Sequence, residues 1–359
     1  MTTQRILVHR LGSLGDMCVA LPALRVVRQA FPQAEIALLT NLPVNVKAAP
    51  APALLDGIAL VDDYIAYPVG TRSFLTLSRL FWQLRRQRFD AVVNLTAWRG
   101  ARALRRDARF FRICGIRQHI GFDAKAAGEL RSDDRGHSEH EAARLLRRVS
   151  ALGKADLNKR CSYGLELTQA EHREAQAILH HAGMPSAFVA FSIGTKLSVK
   201  DWEQTRWVQL LAALAKQLPQ YGCVAIGTRD ESLRADECLE AWPGPKANFC
   251  GDLPPRGSAA VLSRASVFIG HDSGPMHLAA AVGTPCVAIF SGRNPPGQWF
   301  PLGEGHEVLY RRVECAGCGL DECIVEQKRC IRGISVAEAL AAILRQTRRL
   351  LSDKSSEHL

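Results

Sequence analysis

The sequence predicts an α/β protein of two domains, each a parallel sheet wrapped by helices. Short β-branched or aliphatic runs alternate with longer segments of helical period, which is the pattern of parallel-sheet architecture. The alternation halts in a polar stretch near the middle of the chain and then starts afresh. The length of 359 residues also matches about two domains of ~150 residues. With 47% hydrophobic and 23% charged residues, the chain can bury ordinary cores and is not a disordered polypeptide.

In the first half, strands are expected at Arg5 to His9 (around Ile6-Leu7-Val8), Glu35 to Thr40, Asp90 to Leu95 and, more weakly patterned, Gln118 to Phe122. Helices are expected between them at Asp16 to Ala30, Val44 to Asp56, Phe74 to Arg86 and Ala101 to Cys114. A helical stretch from Ser138 to Leu152 leads into the polar segment Gly153 to Lys159 and coil ending near Leu167. The second set has strands at Phe188 to Ile193, Cys223 to Gly227, Val267 to His271 and Cys286 to Phe290. Its helices are Gln204 to Leu218, Asp230 to Ala241, Pro275 to Val282 and a final Ser335 to Leu351. This gives domains 1–165 and 166–359, with a hinge within 150–185. No strict repeat is visible, and Ser352 to Leu359 reads as a disordered tail.

Open parallel sheets bind ligands beyond the carboxyl ends of their strands, so the informative motifs are the loops that follow strands. After the first strand comes Arg10-Leu11-Gly12-Ser13-Leu14-Gly15-Asp16, and then an apolar helix containing Pro22. Gly12 and Gly15 permit a tight turn, and Asp16 lies at a helix start, where it serves either as a cap or as a catalytic base. The dinucleotide fingerprint is absent, because the third glycine is missing and no P-loop lysine follows.

A second turn, Gly270-His271-Asp272-Ser273-Gly274-Pro275-Met276-His277, follows the strand Val267-Phe268-Ile269. Pro275 suits a first helical turn. Small residues at a helix start let a phosphate approach the backbone amides, with His277 one turn in; the alternative is a capped helix with His277 in the core. Ser192-Ile193-Gly194-Thr195-Lys196 and Lys200-Asp201-Trp202 form a third loop, whose lysines are either phosphate partners or solvated charges. In Gly227-Thr228-Arg229-Asp230-Glu231 an acidic residue could bind a ribose hydroxyl or simply favour the helix dipole.

Lys plus Arg is 46 against 35 Asp plus Glu, a net charge of +11, which favours anionic partners. The excess concentrates between Arg85 and Arg117, where ten arginines face only Asp90 and Asp107. Trp82, Trp98, Phe110 and Phe111 are interleaved with them, as suits a surface meeting anionic lipid or a phosphorylated glycolipid. Met1 leads into Ile6-Leu7-Val8 without the apolar stretch of a secretory signal, and nothing reaches the ~18 apolar residues of a membrane span. A cytoplasmic protein is therefore expected, in peripheral contact with the inner face of the cytoplasmic membrane. Seven of the 11 cysteines are scattered and read as reduced thiols. Cys315, Cys318, Cys323 and Cys330 cluster, and are read as a structural staple of the last loop, with zinc as the alternative.

Taken in order, Arg10 to Asp16 with Pro22, Gly194 to Trp202, Asp272-Ser273-Gly274 with His277, and Cys315 to Ile334 resemble glycosyltransferase family 9, the ADP-heptose:lipopolysaccharide heptosyltransferase-like proteins. The resemblance implies a GT-B type fold: two Rossmann-like domains with parallel sheets facing a central cleft, the acceptor held by the first and the nucleotide sugar by the second. It implies an inverting transferase in which Asp16 is the base and Arg10 and Ser13 lie on the acceptor side. Thr195, Lys200, Asp272, Ser273, Gly274 and His277 would then bind the donor. Departures are Gly12 where the family commonly has Ser, Ser273 where it commonly has Thr, and Pro275-Met276 within the donor turn.

In the reaction so implied, a carboxylate takes the acceptor's proton as its oxygen attacks the anomeric carbon, and helix-start amides with Lys200 receive the leaving diphosphate. The sequence has no Asp-x-Asp pair to hold a metal, so neither metal nor other cofactor is expected. The expected partners are a nucleotide sugar, ADP-heptose first, and an anionic glycolipid or glycan such as the lipopolysaccharide core. UDP- or GDP-linked sugars, or a nucleotide-sugar epimerase, are the enzymatic alternatives. The non-enzyme alternative is a basic nucleic-acid-binding protein on an α/β scaffold; it is disfavoured, and nucleic acid is not an expected partner, since the arginine-rich segment carries no recognised nucleic-acid motif and the glycine turns would go unexplained.

Overall fold

The computed structural model describes residues 4–42, 49–68, 70–128, 130–133 and 136–356. The chain divides into two compact units, one spanning Met1–Asp133 and Glu139–Tyr163, the other Asp134–Ser138 and Gly164–Leu359. Each is built on a parallel sheet. In the first unit, β1 (Arg5–His9), β2 (Glu35–Asn41), β3 (Asp63–Tyr67), β4 (Ala91–Asn94) and β5 (Gln118–Ile120) lie in the order β3-β2-β1-β4-β5. The second contains β6 (Phe188–Ser192), β7 (Gly222–Ala225), β8 (Lys246–Asn248), β9 (Val267–His271), β10 (Cys286–Phe290) and β11 (Glu307–Tyr310), ordered β11-β10-β9-β6-β7-β8.

In both sheets the chain starts in the middle, steps outward to one edge, returns, and steps to the other. That is the Rossmann order, and it leaves one gap per sheet where consecutive connections leave in opposite directions. The gap lies between β1 and β4 in the first unit, with Ile6 opposite Ala91 and His9 opposite Asn94. In the second unit it lies between β6 and β9, with Val189 opposite Val267 and Ser192 opposite Gly270. Central strands of a parallel sheet are covered on both faces and read as unbroken apolar runs. Ile6, Leu7 and Val8 accordingly have no exposed surface, and neither do Val267, Phe268 and Ile269.

Around these strands the first core packs Leu7, Leu39, Val92, Leu84 and Phe111. The second packs Val189, Phe191, Trp202, Trp207, Leu214 and Ile343. The helix Leu14–Ala30 is buried from Met17 to Val27, begins two residues before its expected start, and carries Pro22 inside it. Among the described residues no helix is long and apolar enough to cross a membrane.

Differences from expectation concentrate at the sheet edges. β3, β8 and β11 were not anticipated, because three- to five-residue edge strands rich in charge and tyrosine leave little periodicity. The helix Gln169–His181 was likewise read as part of a hinge, although Thr168 and Glu171 form a capping box at its start; the helix Pro255–Leu262 was also missed. The Ser138 to Leu152 stretch is helical only over Glu141–Arg148. Of the helix expected over Val44 to Asp56, residues 44–48 lie outside the described residues and Pro52–Leu55 is helical. The last helix runs Val336–Ser356, past the point where a disordered tail was expected. Ser, Asp and Lys cost a growing helix only tenths of a kcal/mol each, ~0.5 or less.

Candidate functional site

Each gap between central strands holds one constellation of polar side chains. In the first unit, β1 ends at His9 and the chain turns through Gly12, whose φ of +140° is a glycine conformation. A Cβ on Gly12 would stand 2.3 Å from the Asp16 Cβ, so the turn closes only because no side chain is there. The Gly12 N–H donates to Asn41 Oδ1 at 2.7 Å, which ties the turn to the end of β2.

Ser13 caps the helix, and Asp16, at its third position, answers with a carboxylate that accepts the Ser13 N–H at 2.8 Å and the Ser13 hydroxyl at 3.3 Å. The capping role considered for Asp16 is therefore real. It does not consume the carboxylate, because Oδ1 stays outside the capping bonds and the side chain is 26% exposed. Arg10 lies beneath, with no exposed side-chain surface. Its guanidinium donates to Leu95 O at 2.7 Å, across the gap at the end of β4, and to Asp16 O at 2.8 Å. Nη2 is also 3.4 Å from Asp16 Oδ1. Arg10, an acceptor-side candidate from the sequence, is thus a buried support for Asp16.

Sequence reasoning missed what supports Arg10. Glu141, buried at the start of the helix Glu141–Arg148, is 3.7 Å from Arg10 and holds Arg144 in a two-point pair, at 2.7 Å through Nε and 2.5 Å through Nη2. Burial opposes ionisation of Glu141, but the Arg144 bond and the charges of Arg144, Arg10 and Arg148 outweigh it, so its carboxyl is held below the usual range. Arg148 feels the reverse balance: burial, then the Arg144 charge, lowers it to about 9. Neighbouring His9 is brought down to about 3 by burial and by Arg99, Arg148 and Arg106, and is neutral at physiological pH.

The second constellation sits where β6, β7 and β9 end side by side. Asp272 follows β9, Ser273 caps the helix Gly274–Ala281, and Pro275 occupies its first turn. Lys200, at the end of a short 3-10 turn, places Nζ 2.5 Å from Asp272 Oδ2. Asn294, in the loop after β10, donates to the same oxygen at 3.3 Å, and His277 Nε2 lies 3.8 Å from Oδ1. Burial would raise the Asp272 carboxyl, but His277 and Lys200 overcome it and hold it below the ordinary carboxylate range. His277 is buried, with Trp299 edge-on at 6.2 Å.

Ser273 lies beside this group with its hydroxyl on His271 O at 3.4 Å. Thr195 sits in the loop after β6, its hydroxyl bonded to Leu197 O at 3.3 Å. His271 belongs to the core: burial lowers it to about 4, and its Nε2 accepts the Trp202 N–H at 3.1 Å. Glu231 joins the ends of β6 and β7. Its Oε2 accepts the Thr228 N–H at 2.9 Å, and its carboxyl, raised by burial, would strike a Cβ at Gly194 or Gly227. Of the two acidic candidates for a ribose hydroxyl, Glu231 is the one seated between the strand ends. Asn294, Trp299 and Glu141 had no motif to announce them; only position after a strand marked Asn294.

The four clustered cysteines are free thiols. Cys330 is buried against the loop at Gly292, and Cys323 Sγ accepts the Lys328 N–H at 3.3 Å. Among the described residues no three His, Cys, Asp or Glu side chains are arranged to hold a metal ion.

A sequence model of glycosyltransferase family 9 (heptosyltransferase) matches residues 77–328. Lipopolysaccharide heptosyltransferase 3 of Escherichia coli (strain K12) is 26% identical over 286 residues, covering 77% of this chain and 79% of that protein. The glycosyl transferase family 9 structure from Veillonella parvula superposes with a TM-score of 0.72 at 18% identity, over 97% of this chain and 99% of that one. The E. coli ADP-heptose lipopolysaccharide heptosyltransferase II gives 0.66 at 18% identity, over 96% and 99%. With this fold of GT-B type and a family match across most of its length, the chain belongs to glycosyltransferase family 9 (heptosyltransferase) and is a glycosyltransferase.

Proposed function

We propose that the protein transfers heptose from ADP-heptose to a lipopolysaccharide core or related anionic glycan, with inversion and without a metal ion. Asp16 is the general base: its carboxylate, oriented by the Ser13 amide and by Arg10, takes the proton of the acceptor hydroxyl as that oxygen attacks the anomeric carbon. Ser13 lies on the acceptor side with it. The first unit holds the acceptor and the second the nucleotide sugar, in cytoplasm, with peripheral contact to the inner membrane face.

The observation that carries this reading is the Lys200–Asp272–His277 group at the start of the helix Gly274–Ala281. A diphosphate gains charge as it leaves, and a lysine ammonium beside helix-start amides stabilises that charge in place of a divalent cation. Asp272, itself an anion, serves by holding Lys200 and His277 in position; Ser273 and Gly274 leave room for the phosphates. Thr195 and Glu231 take the remaining polar groups of the donor, Glu231 accepting from a ribose hydroxyl. ADP-heptose is named because a lipopolysaccharide heptosyltransferase matches 77% of this chain in sequence.

A thermal-shift panel of ADP-, UDP-, GDP- and CMP-sugars and free nucleotides tests it, because a ligand that binds only the folded state raises the melting temperature. The expected result is a shift confined to ADP compounds and lost in Asp272→Ala. A shift with UDP or GDP compounds alone would keep a glycosyltransferase and replace the sugar.

A further inference from the structure

The helix Phe74–Gln87 turns two faces to different surroundings. Leu80 and Leu84 are buried in the first core. On the opposite side, at spacings of three and four, lie Leu75, Ser78, Arg79, Trp82 and Arg86, with Phe74 at the helix start. Phe74 is 82% exposed, Leu75 69% and Trp82 56%. Ser78, Arg79, Trp82, Gln83 and Arg86 line a shallow open groove along this side. No Asp or Glu occurs between Tyr67 and Asp90, while Arg72, Arg79, Arg85, Arg86 and Arg88 do.

Three large apolar side chains standing together in water on one helix face are costly unless something covers them. Arginines with no acidic partner beside them say what kind of surface that is: one that is apolar beneath and negatively charged on top. Trp belongs to the few side chains suited to that boundary, with an apolar body and an N–H that stays wet. By contrast, the belt aromatics singled out from the sequence do not form a comparable face. Phe111 is 2% exposed, Phe110 and Trp98 are half-buried, and only Trp82 stands free. The ten arginines from Arg85 to Arg117 are all exposed, so they supply charge without apolar side chains to insert.

We infer that the outward face of the helix Phe74–Gln87 is the element that enters the membrane: Phe74, Leu75 and Trp82 sink to the headgroup–acyl boundary of an anionic phospholipid layer while Arg79 and Arg86 pair with its phosphates. The inference rests on the peripheral-membrane reading and assigns it to one helix. Binding follows buried apolar area plus attraction to anionic lipid, so it weakens with salt without vanishing.

The test is sedimentation of the full chain with phosphatidylcholine–phosphatidylglycerol vesicles and with phosphatidylcholine alone. The variants are Phe74→Ser/Leu75→Ser/Trp82→Ser, Arg79→Gln/Arg86→Gln, and Arg102→Gln/Arg105→Gln/Arg109→Gln on the next helix. The expected result is binding to the mixed vesicles that falls at least about tenfold in the apolar triple variant, a change in partition equal to ~1.4 kcal/mol. Trp82→Phe should keep binding but remove the tryptophan quenching caused by brominated lipid. An unchanged melting temperature shows that each variant is folded.

Undiminished binding in the apolar triple variant, with loss on replacing Arg102, Arg105 and Arg109, would overturn the assignment and leave membrane contact to the arginine belt. If wild type ignores both vesicles, the peripheral reading itself fails. A dimer that the triple variant dissolves, with no vesicle binding, would show that a second copy covers the face. Retention of RNA or DNA at physiological salt would assign it to nucleic acid.

Discussion

The Arg10 guanidinium donates to the main-chain carbonyl of Asp16 at 2.8 Å while the same nitrogen stands 3.4 Å from the Asp16 carboxylate. One buried cation thus fixes both the first turn of a helix and the side chain that the proposed reaction uses. Arg10 is itself held by Leu95 O and faces Glu141, which grips Arg144. The proposed base rests on a buried chain of charges rooted in a helix 125 positions away in sequence.

Removing the one carboxylate in that chain should therefore be felt at both ends. Glu141→Gln removes the buried counter-charge that Arg10 and Arg144 share and leaves Arg10 only the Asp16 carboxylate at 3.4 Å, and losing one partner of a buried ion pair costs about 3–5 kcal/mol. A lowered melting temperature at neutral pH is expected, with transfer activity falling further than stability explains. A variant as stable and active as wild type would show that the arginines find solvent instead.

Gly12→Ala tests the turn. The new methyl would meet the Asp16 side chain at 2.3 Å, in a φ of +140° that costs a residue with a side chain about 1–3 kcal/mol. Transfer should be nearly abolished, while the donor-induced thermal shift persists because the second unit is untouched. Retained activity would mean that Asp16 can work from another position.

The Lys200–Asp272 pair gives stability a defined pH dependence. Asp272 is held below its ordinary value, so its contribution is complete above the unfolded carboxylate pKa of ~3.9 and is lost as pH falls through the lower folded value. Comparing melting temperatures of wild type and Asp272→Asn from neutral pH down to ~3 should show a gap that is widest at neutral pH and narrows in acid. A gap that does not change with pH would mean that Lys200 does not depend on the carboxylate's charge.

If the diphosphate is stabilised by Lys200 and helix-start amides alone, exhaustive treatment with a chelator should leave the rate of transfer unchanged, and Lys200→Met should lower it about 10²- to 10³-fold, the usual cost of removing one such stabilising group. Loss of activity on chelation, restored by one added metal, would contradict metal independence.

What the sequence made legible follows from physics that acts locally. Val267-Phe268-Ile269 followed by Asp272-Ser273-Gly274-Pro275 announces strand, loop and helix start within nine positions, and β9 lies at Val267–His271 as expected. Arg10 to Asp16 is equally compact. Glu141 and Arg144 look from sequence like an ordinary solvent-facing pair three residues apart, and only tertiary packing reveals that both are 1% exposed. Asn294 reaches Asp272 because β10 lies beside β9, a pairing that no local pattern encodes. The exposed face of the helix Phe74–Gln87 was half legible: Trp82 already read as part of a surface meeting anionic lipid, whereas Phe74 and Leu75 read only as members of a helix, and their exposure shows only in the packing.

The most direct measurement is the initial rate at which wild type and Asp16→Asn move heptose from ADP-heptose to a lipopolysaccharide core acceptor, with donor binding followed in parallel. Asparagine can still accept the Ser13 amide through its side-chain oxygen, so the helix start survives while the base is lost. The account expects wild-type transfer with inversion at the anomeric carbon. It expects a fall of about 10²- to 10⁴-fold in the variant, with the thermal shift by ADP preserved. Equal rates in the two proteins would contradict it.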